Sequence, residues 1–155
     1  MLFTDGSVNT KCRTGFGAYL AVSEAEISSK VFRNQVKIRK FENTSSTKLE
    51  LQTLLWALSE IQVGDRKVIV HTDSQNIISL EKRRSRLEKN NYQSKNNKRL
   101  NNFKIYQEFF KKIDKMDCEF VKVCGHQLSI QKNEVDHLFT LVDRASRKAV
   151  KGENR

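Results

Sequence analysis

Two short apolar runs, each ending at an aspartate, constrain the fold of this chain more than any other feature. Residues 2–4 are followed at once by Asp5 and a Gly-Ser pair, and residues 67–72 are followed by Asp73 and Ser74. Runs of this length and composition are typical of buried strands. If the two strands are parallel neighbours, both carboxylates face the same crevice, at the edge where open α/β sheets bind ligands.

The rest of the pattern predicts an α/β fold with the element order βββαβααβα. One helix has its apolar face on Leu51, Leu54, Leu55 and Leu58, with hydroxyl residues at 44–47 to cap its start. Glu50 borders that face and should lie near the edge of the core. Further strands are predicted at residues 15–22, 27–38 and 119–123, and further helices at 76–87, from about 103, and up to about 150. We therefore predict a five-stranded mixed sheet, with three antiparallel strands plus parallel strands and helices packed on it.

The length of 155 residues and the 37% hydrophobic content predict one globular domain over residues 1–150, with a flexible tail at 151–155. No apolar run approaches the roughly 20 residues of a membrane span. The acid at position 5 leaves no room for the apolar segment of a signal peptide. Three cysteines without metal-ligand spacing are typical of free thiols in a reducing cytoplasm. We expect a cytoplasmic protein, most simply a monomer, that does not bind membranes.

The net charge of +11 indicates a polyanionic partner, with nucleic acid ahead of an anionic membrane surface. Residues 81–115 carry twelve lysines and arginines against four acids, with asparagines between them. Apolar residues recur through this stretch, so we predict an ordered basic protrusion over residues 81–102. A peripheral membrane protein is disfavoured because no amphipathic helix with exposed bulky apolar residues accompanies the charge.

Four scattered acids are candidates for a metal site: Asp5, Glu50, Asp73 and one aspartate of the last helix. Taken singly, an aspartate after a strand is more often a turn or capping residue, and a glutamate in a first turn more often a surface acid. An all-carboxylate set suits hard cations such as Mg²⁺ or Mn²⁺. Two such ions can activate a water and stabilise the leaving oxygen of a phosphodiester.

Six local motifs, in this order along the chain, resemble those of type 1 ribonuclease H, the ribonuclease HI family. They cover about residues 2–150 and are Thr4-Asp5-Gly6-Ser7, Gly15-Phe16-Gly17-Ala18, Lys48-Leu49-Glu50-Leu51, His71-Thr72-Asp73-Ser74-Gln75, Gly125-His126 and Val142-Asp143-Arg144-Ala145-Ser146-Arg147. The resemblance implies a ribonuclease H-like fold. It also implies an endonuclease that cuts the RNA strand of RNA–DNA hybrids with two Mg²⁺ ions, Mn²⁺ being possible, and leaves 5′-phosphate and 3′-hydroxyl ends.

The resemblance also implies roles for individual residues. Asp5, Glu50, Asp73 and Asp143 would be the catalytic acids that bind metal, and His126 would aid product release or proton movement. The implied substrate contacts are Ser7, Thr47, Gln75, Tyr92, Lys95, Lys98 and Arg99. Some positions depart from the family pattern. The first turn is short, and Ser46 and Thr47 replace paired asparagines before Glu50.

The fourth acid is open between two aspartates of the last helix. Asp136 lies at the usual interval after His126, whereas Asp143 has the family's helix register, with a small residue and an arginine three and four positions later. The two acids are seven residues apart, so periodicity does not separate them, and the register favours Asp143. The alternative function is a catalytically silent hybrid-binding or RNA-binding module on the same fold. A resolvase-like or transposase-like nuclease is a third reading.

Overall fold

The computed structural model describes residues 1–29, 35–124 and 133–153. Its five strands form one sheet in the order β3-β2-β1-β4-β5. The antiparallel part is β1 (Leu2–Asn9), β2 (Thr14–Ala21) and β3 (Lys37–Phe41), and the parallel part adds β4 (Val68–Thr72) and β5 (Cys118–Lys122) to β1. The five-stranded mixed sheet predicted from the sequence is confirmed.

Within the described residues, four α-helices pack on the sheet: α1 (Ser46–Glu60), α2 (Gln75–Lys89), α3 (Phe103–Ile113) and α4 (Glu134–Glu153). Serine hydroxyl groups cap the N-termini of two of these helices, α1 and α2. The Lys48 amide donates to Ser45 Oγ at 3.3 Å, and the Ile77 amide donates to Ser74 Oγ at 3.2 Å. Each bond satisfies a backbone N–H that has no partner within its helix.

The two faces of the sheet bury separate apolar clusters. Leu54 and Leu80 belong to the cluster under α1, α2 and α3, and Phe3 and Val142 belong to the cluster under α4. Helix α1 lies very close to β2 at Gly17, where a Cβ atom would meet Thr53 Oγ1 at 2.1 Å. The absence of a side chain at Gly17 therefore sets the distance between helix and sheet.

Two strand predictions were wrong in their bounds. Asp5 was placed at the end of a strand, but β1 continues through it to Asn9, because Gly6 and Ser7 pair with β2 instead of opening a turn. The chain reversal between β1 and β2 is therefore shorter than predicted, and it includes Arg13, which has a φ of 57°. The third strand begins at Lys37, ten residues later than predicted, and a 3₁₀ helix occupies Glu24–Ser29.

Asp5 nevertheless lies at the predicted edge of the sheet, because β1 extends beyond the carboxyl end of the neighbouring strand β4. Leu2 and Phe3 pair with Val70 and His71 of β4, and β4 ends at Thr72. Continuing that parallel register places Asp5 level with Asp73. The two aspartates are therefore side by side, although only Asp73 follows the end of its strand.

The predicted basic protrusion consists of the second half of α2 and a compact loop. The loop is closed by an isolated bridge between Gln93 and Arg99. At the other end of the chain, α4 continues to Glu153, so residues 151–153 are helical and not part of a flexible tail. Glu153 forms an ion pair with Lys40 at 2.5 Å.

Candidate active site

Three aspartates from different elements meet at the carboxyl edge of β4. Asp5 comes from β1, Asp73 from the junction of β4 and α2, and Asp143 from α4, which packs on β1. Burial raises the pKa of Asp5 to about 8, a hydrogen bond with Asp143 adds to this rise, and the charge of Asp73 contributes further. Asp5 is therefore a half-buried member of a group of like charges.

Glu50 joins this group from α1. The Ser74 hydroxyl donates to Glu50 Oε2 at 2.5 Å. Burial raises the pKa of Glu50, the Ser74 hydrogen bond opposes that rise, and the charge of Asp73 adds to it. Ser74 thus caps α2 and holds Glu50 beside Asp73 with the same oxygen, a double role that the sequence reasoning missed. The signal was the position of Ser74, directly before a helix.

The two candidate aspartates of α4 occupy different surroundings. Asp136 lies in the first turn, where it accepts from the Asn133 amide at 3.2 Å while its own amide donates to Asn133 Oδ1 at 2.9 Å. This is a reciprocal helix cap. Asp143 lies two turns further along, beside Asp5, and accepts from Arg147 Nε at 2.9 Å. The structure therefore brings Asp143 to the other acids, and its role as a metal ligand stays a prediction.

Ser7 and Ser146 connect β1 to α4 next to Asp143. Their hydroxyl oxygens are 3.1 Å apart, and Ser146 also donates to the Asp143 carbonyl oxygen at 3.0 Å. Ser146 is fully buried. The Ser7 hydroxyl, predicted to contact substrate, is thus engaged within the protein. Ser146 itself was missed as a positioning residue, although it is the small residue three positions after Asp143.

The other predicted substrate contacts fall into two groups. Gln75 is exposed at the start of α2, and Thr47 is half-buried in the first turn of α1. Lys95, Lys98 and Arg99 are exposed on the loop after α2, whereas Tyr92 is only 6% exposed and packs in the core beside Leu87. In this conformation the Tyr92 ring cannot contact a nucleic acid, so its predicted role is corrected to core packing. His126 lies outside the described residues.

The donor set fits a hard divalent cation. Within residues 1–29, 35–124 and 133–153, no three acid, histidine or cysteine side chains are close enough together to hold an ion as they stand. The chemistry still points to one, because the four acids offer only oxygen ligands. The raised pKa of Asp5 reflects burial and repulsion between carboxylates. A bound cation would relieve that repulsion.

A basic groove of about 680 Å³ lies between α1, β3 and the start of α3. Arg39, Lys48 and Lys104 supply its positive charge, and aromatic rings including Trp56 and Phe103 form part of its walls. The N-cap residue of α3 makes no side-chain hydrogen bond to that helix, so its first amide groups are not capped by a side chain. Cations, aromatic rings and a helix N-terminus together suit a nucleic-acid backbone.

Comparison with known proteins agrees with this architecture. A family model described as RNase H matches residues 1–147. No curated protein matches the chain. A solved structure of a foamy viral protease-reverse transcriptase in complex with dsDNA has a TM-score of 0.64 and 15% sequence identity, and the match covers 94% of this chain and 92% of that one. At this identity the likeness concerns the fold, and it confirms the ribonuclease H-like architecture. Because the family model spans nearly the whole sequence, this chain belongs to the RNase H family.

Proposed function

We propose that this chain is a metal-dependent endonuclease that hydrolyses the RNA strand of RNA–DNA hybrids. One observation carries the proposal: Asp5 is half-buried, hydrogen-bonds Asp143 and lies close to Asp73, at the sheet edge where Ser74 also holds Glu50. Carboxylates held this close together repel one another unless a cation binds there. Membership of the RNase H family indicates the class of reaction, and the four acids provide the oxygen ligands for the metal ions.

Asp5, Glu50, Asp73 and Asp143 would together hold two Mg²⁺ or Mn²⁺ ions, since Asp5 lies beside Asp73 and Asp143, and Glu50 lies beside Asp73. When bound, the ions would activate a water and neutralise the leaving oxygen of the phosphodiester. The chain itself positions two of these ligands, since Ser74 bonds the Glu50 carboxylate, Arg147 bonds the Asp143 carboxylate, and Ser146 bonds the Asp143 backbone carbonyl. His126 would act in product release or proton movement, as the family resemblance implies. Cleavage would leave 5′-phosphate and 3′-hydroxyl ends.

Substrate affinity would come from one basic surface formed by the loop after α2 and the groove. Lys95, Lys98 and Arg99 are exposed on the loop, and Arg99 lies over Phe103, which lines the groove together with Lys48 and Lys104. Lysine and arginine contacts to phosphates are independent of sequence. Exposed polar side chains at the starts of α1 and α2 could reach the wide minor groove of an A-like hybrid, where 2′-hydroxyl groups distinguish RNA from DNA.

A four-substrate cleavage assay tests the proposal. The protein is incubated with an RNA–DNA hybrid, duplex RNA, duplex DNA and single-stranded RNA, each with Mg²⁺, Mn²⁺ or EDTA. We expect cutting of the RNA in the hybrid alone, and only with metal. Equal cutting of duplex DNA would refute the assignment. Binding of the hybrid without cleavage under any metal condition would instead favour the silent binding module.

A further inference from the structure

We propose that Lys122 is a positioning residue that orients the Gln75 side-chain amide, so that Gln75 presents hydrogen-bond donors to the minor groove of the substrate. The ligand in this inference is the hybrid of the proposed function, on which the inference rests. Lys122 belongs to none of the family-like motifs in the sequence, and no role was predicted for it. Its place in the sheet and its contact with Gln75 carry the argument.

The sheet register brings the two residues together. Lys122 is the last residue of β5 and pairs with Thr72, the last residue of β4. Gln75 is the first residue of α2 and follows Asp73 and its neighbour Ser74. Both Lys122 and Gln75 are exposed. The Lys122 ammonium group therefore lies at the sheet edge that carries the acids, on the side of β4 away from β1.

The contact itself determines which end of the amide faces outward. Lys122 Nζ lies 2.7 Å from Gln75 Oε1. A lysine ammonium has three donors and no acceptor, so only the amide oxygen can face it. The Nε2 group then points away from Lys122, and in the part of the chain that the structure describes no protein acceptor takes its hydrogens. Gln75 is left with two outward donors beside the acids.

The hydrogen-bond donors of the Gln75 amide match the acceptor atoms that every base pair presents in the minor groove. Adenine N3, guanine N3 and the O2 atoms of thymine and cytosine are all acceptors there. A 2′-hydroxyl also accepts hydrogen bonds. A reversed amide would direct Oε1 at these acceptors and repel them. By fixing the orientation of the Gln75 amide, Lys122 would make the contact between Gln75 and the minor groove attractive for every base sequence, without itself touching the nucleic acid.

A double-mutant cycle on binding separates positioning from a direct contact. The variants are Lys122→Met, Gln75→Met and the double variant, with Lys122→Arg as the conservative replacement. Lys67→Met is the matched control, because it removes the same charge at the opposite end of the sheet, where Lys67 bonds Glu119 at 2.9 Å. Affinity for a labelled RNA–DNA hybrid is measured by fluorescence anisotropy in EDTA, so that no cleavage occurs.

We expect Lys122→Met and Gln75→Met each to raise the Kd by about three- to tenfold, which corresponds to one hydrogen bond of ordinary net strength. The double variant should be no weaker than Gln75→Met alone, after correction by the control. Lys122→Arg should restore most of the affinity. In Mg²⁺ the same variants should raise KM and leave kcat within about twofold, as loss of uniform binding predicts. The Gln75 side-chain NH₂ signals in a ¹⁵N–¹H spectrum of the free protein should shift in Lys122→Met and not in Lys67→Met.

Independent effects of the two substitutions would overturn the inference, because they would mean that Lys122 contacts the phosphates itself. No effect of Gln75→Met would overturn it as well. A wild-type protein that binds the hybrid without cutting it would refute the hydrolysis proposal alone, since the binding cycle would still decide the role of Lys122. A wild-type protein that fails to bind the hybrid would refute both.

Discussion

Replacing Asp5 by asparagine should stabilise the metal-free protein while abolishing its response to Mg²⁺. In the folded chain, burial and the neighbouring acids raise the pKa of Asp5 from 3.8 to about 8. A carboxyl with a raised folded-state pKa destabilises the fold only where it is ionised in the unfolded chain. Its cost is therefore absent below about pH 4, grows as the pH rises, and is complete above about pH 8.

The size of the effect follows from the two pKa values. Each pH unit of separation corresponds to about 1.4 kcal/mol, so the gap between 3.8 and about 8 sets an upper limit of about 6 kcal/mol. Asparagine keeps the shape of the side chain but leaves Asp73 and Asp143 to repel each other, so we expect about 2 kcal/mol. In a protein of this size that is a rise in Tm of about 4–8 °C at pH 8. At pH 5 less than half of that rise should remain.

Thermal unfolding followed by circular dichroism, in EDTA and in Mg²⁺ at both pH values, measures these shifts. The matched control is Asp65→Asn, which makes the same change in net charge at an exposed turn. Because the chain already carries a net charge of +11, added positive charge alone should not raise the Tm. Mg²⁺ at about 100 times its Kd should stabilise the wild type by about 2.7 kcal/mol and leave Asp5→Asn unchanged. An Asp5→Asn variant less stable than the wild type in EDTA at pH 8, or a gain of equal size at pH 5, would refute the reasoning.

Two further predictions concern catalysis and substrate affinity. We expect Asp143→Asn to lower kcat by about 100-fold or more, because it removes a proposed metal ligand. Asp136→Asn should leave kcat nearly unchanged and cost at most about 1 kcal/mol of stability, because asparagine keeps an oxygen that accepts from the Asn133 amide. The reverse result in a hybrid cleavage assay would transfer the metal-binding role to Asp136. Neutralising Lys95, Lys98 and Arg99 together should raise KM more than it lowers kcat, and should reduce the slope of log affinity against log salt by up to about 3. An unchanged slope, measured by hybrid binding at several salt concentrations, would show that these residues do not contact phosphates.

The sequence predicted those parts of the fold that depend on local pattern. The leucine face of α1 and the capping hydroxyl before it are read from neighbouring residues, and the structure confirms both, with Ser45 as the cap. The end of β1 was not read correctly, because glycine and serine are typical of turns. Pairing of Gly6 and Ser7 with β2 keeps them in the strand, and pairing is a tertiary interaction.

Tyr92 shows why composition misled the interpretation of the basic segment. The surrounding lysines and asparagines indicate a solvated loop, and an aromatic residue there resembles a nucleic-acid contact. In the structure, Asn91 and Tyr92 both have a positive φ, 52° and 57°, and the Tyr92 amide donates to the Leu87 carbonyl oxygen at 2.8 Å. This tight reversal directs the ring back into the core. A left-handed pair of non-glycine residues has no clear sequence signal.

Two acids of the candidate site accept hydrogen bonds from different donors, Glu50 from a neutral hydroxyl and Asp143 from an arginine, and neither contact prevents a cation from binding. Ser74 donates to Glu50, and Ser146 fixes the backbone at Asp143. A hydroxyl stabilises a carboxylate without cancelling its charge, so the group keeps the negative potential that attracts a divalent ion. Arg147 also bonds Asp143, but its side chain is 60% exposed. An exposed ion pair is worth about 1 kcal/mol or less, so a metal ion can displace the guanidinium group at little cost.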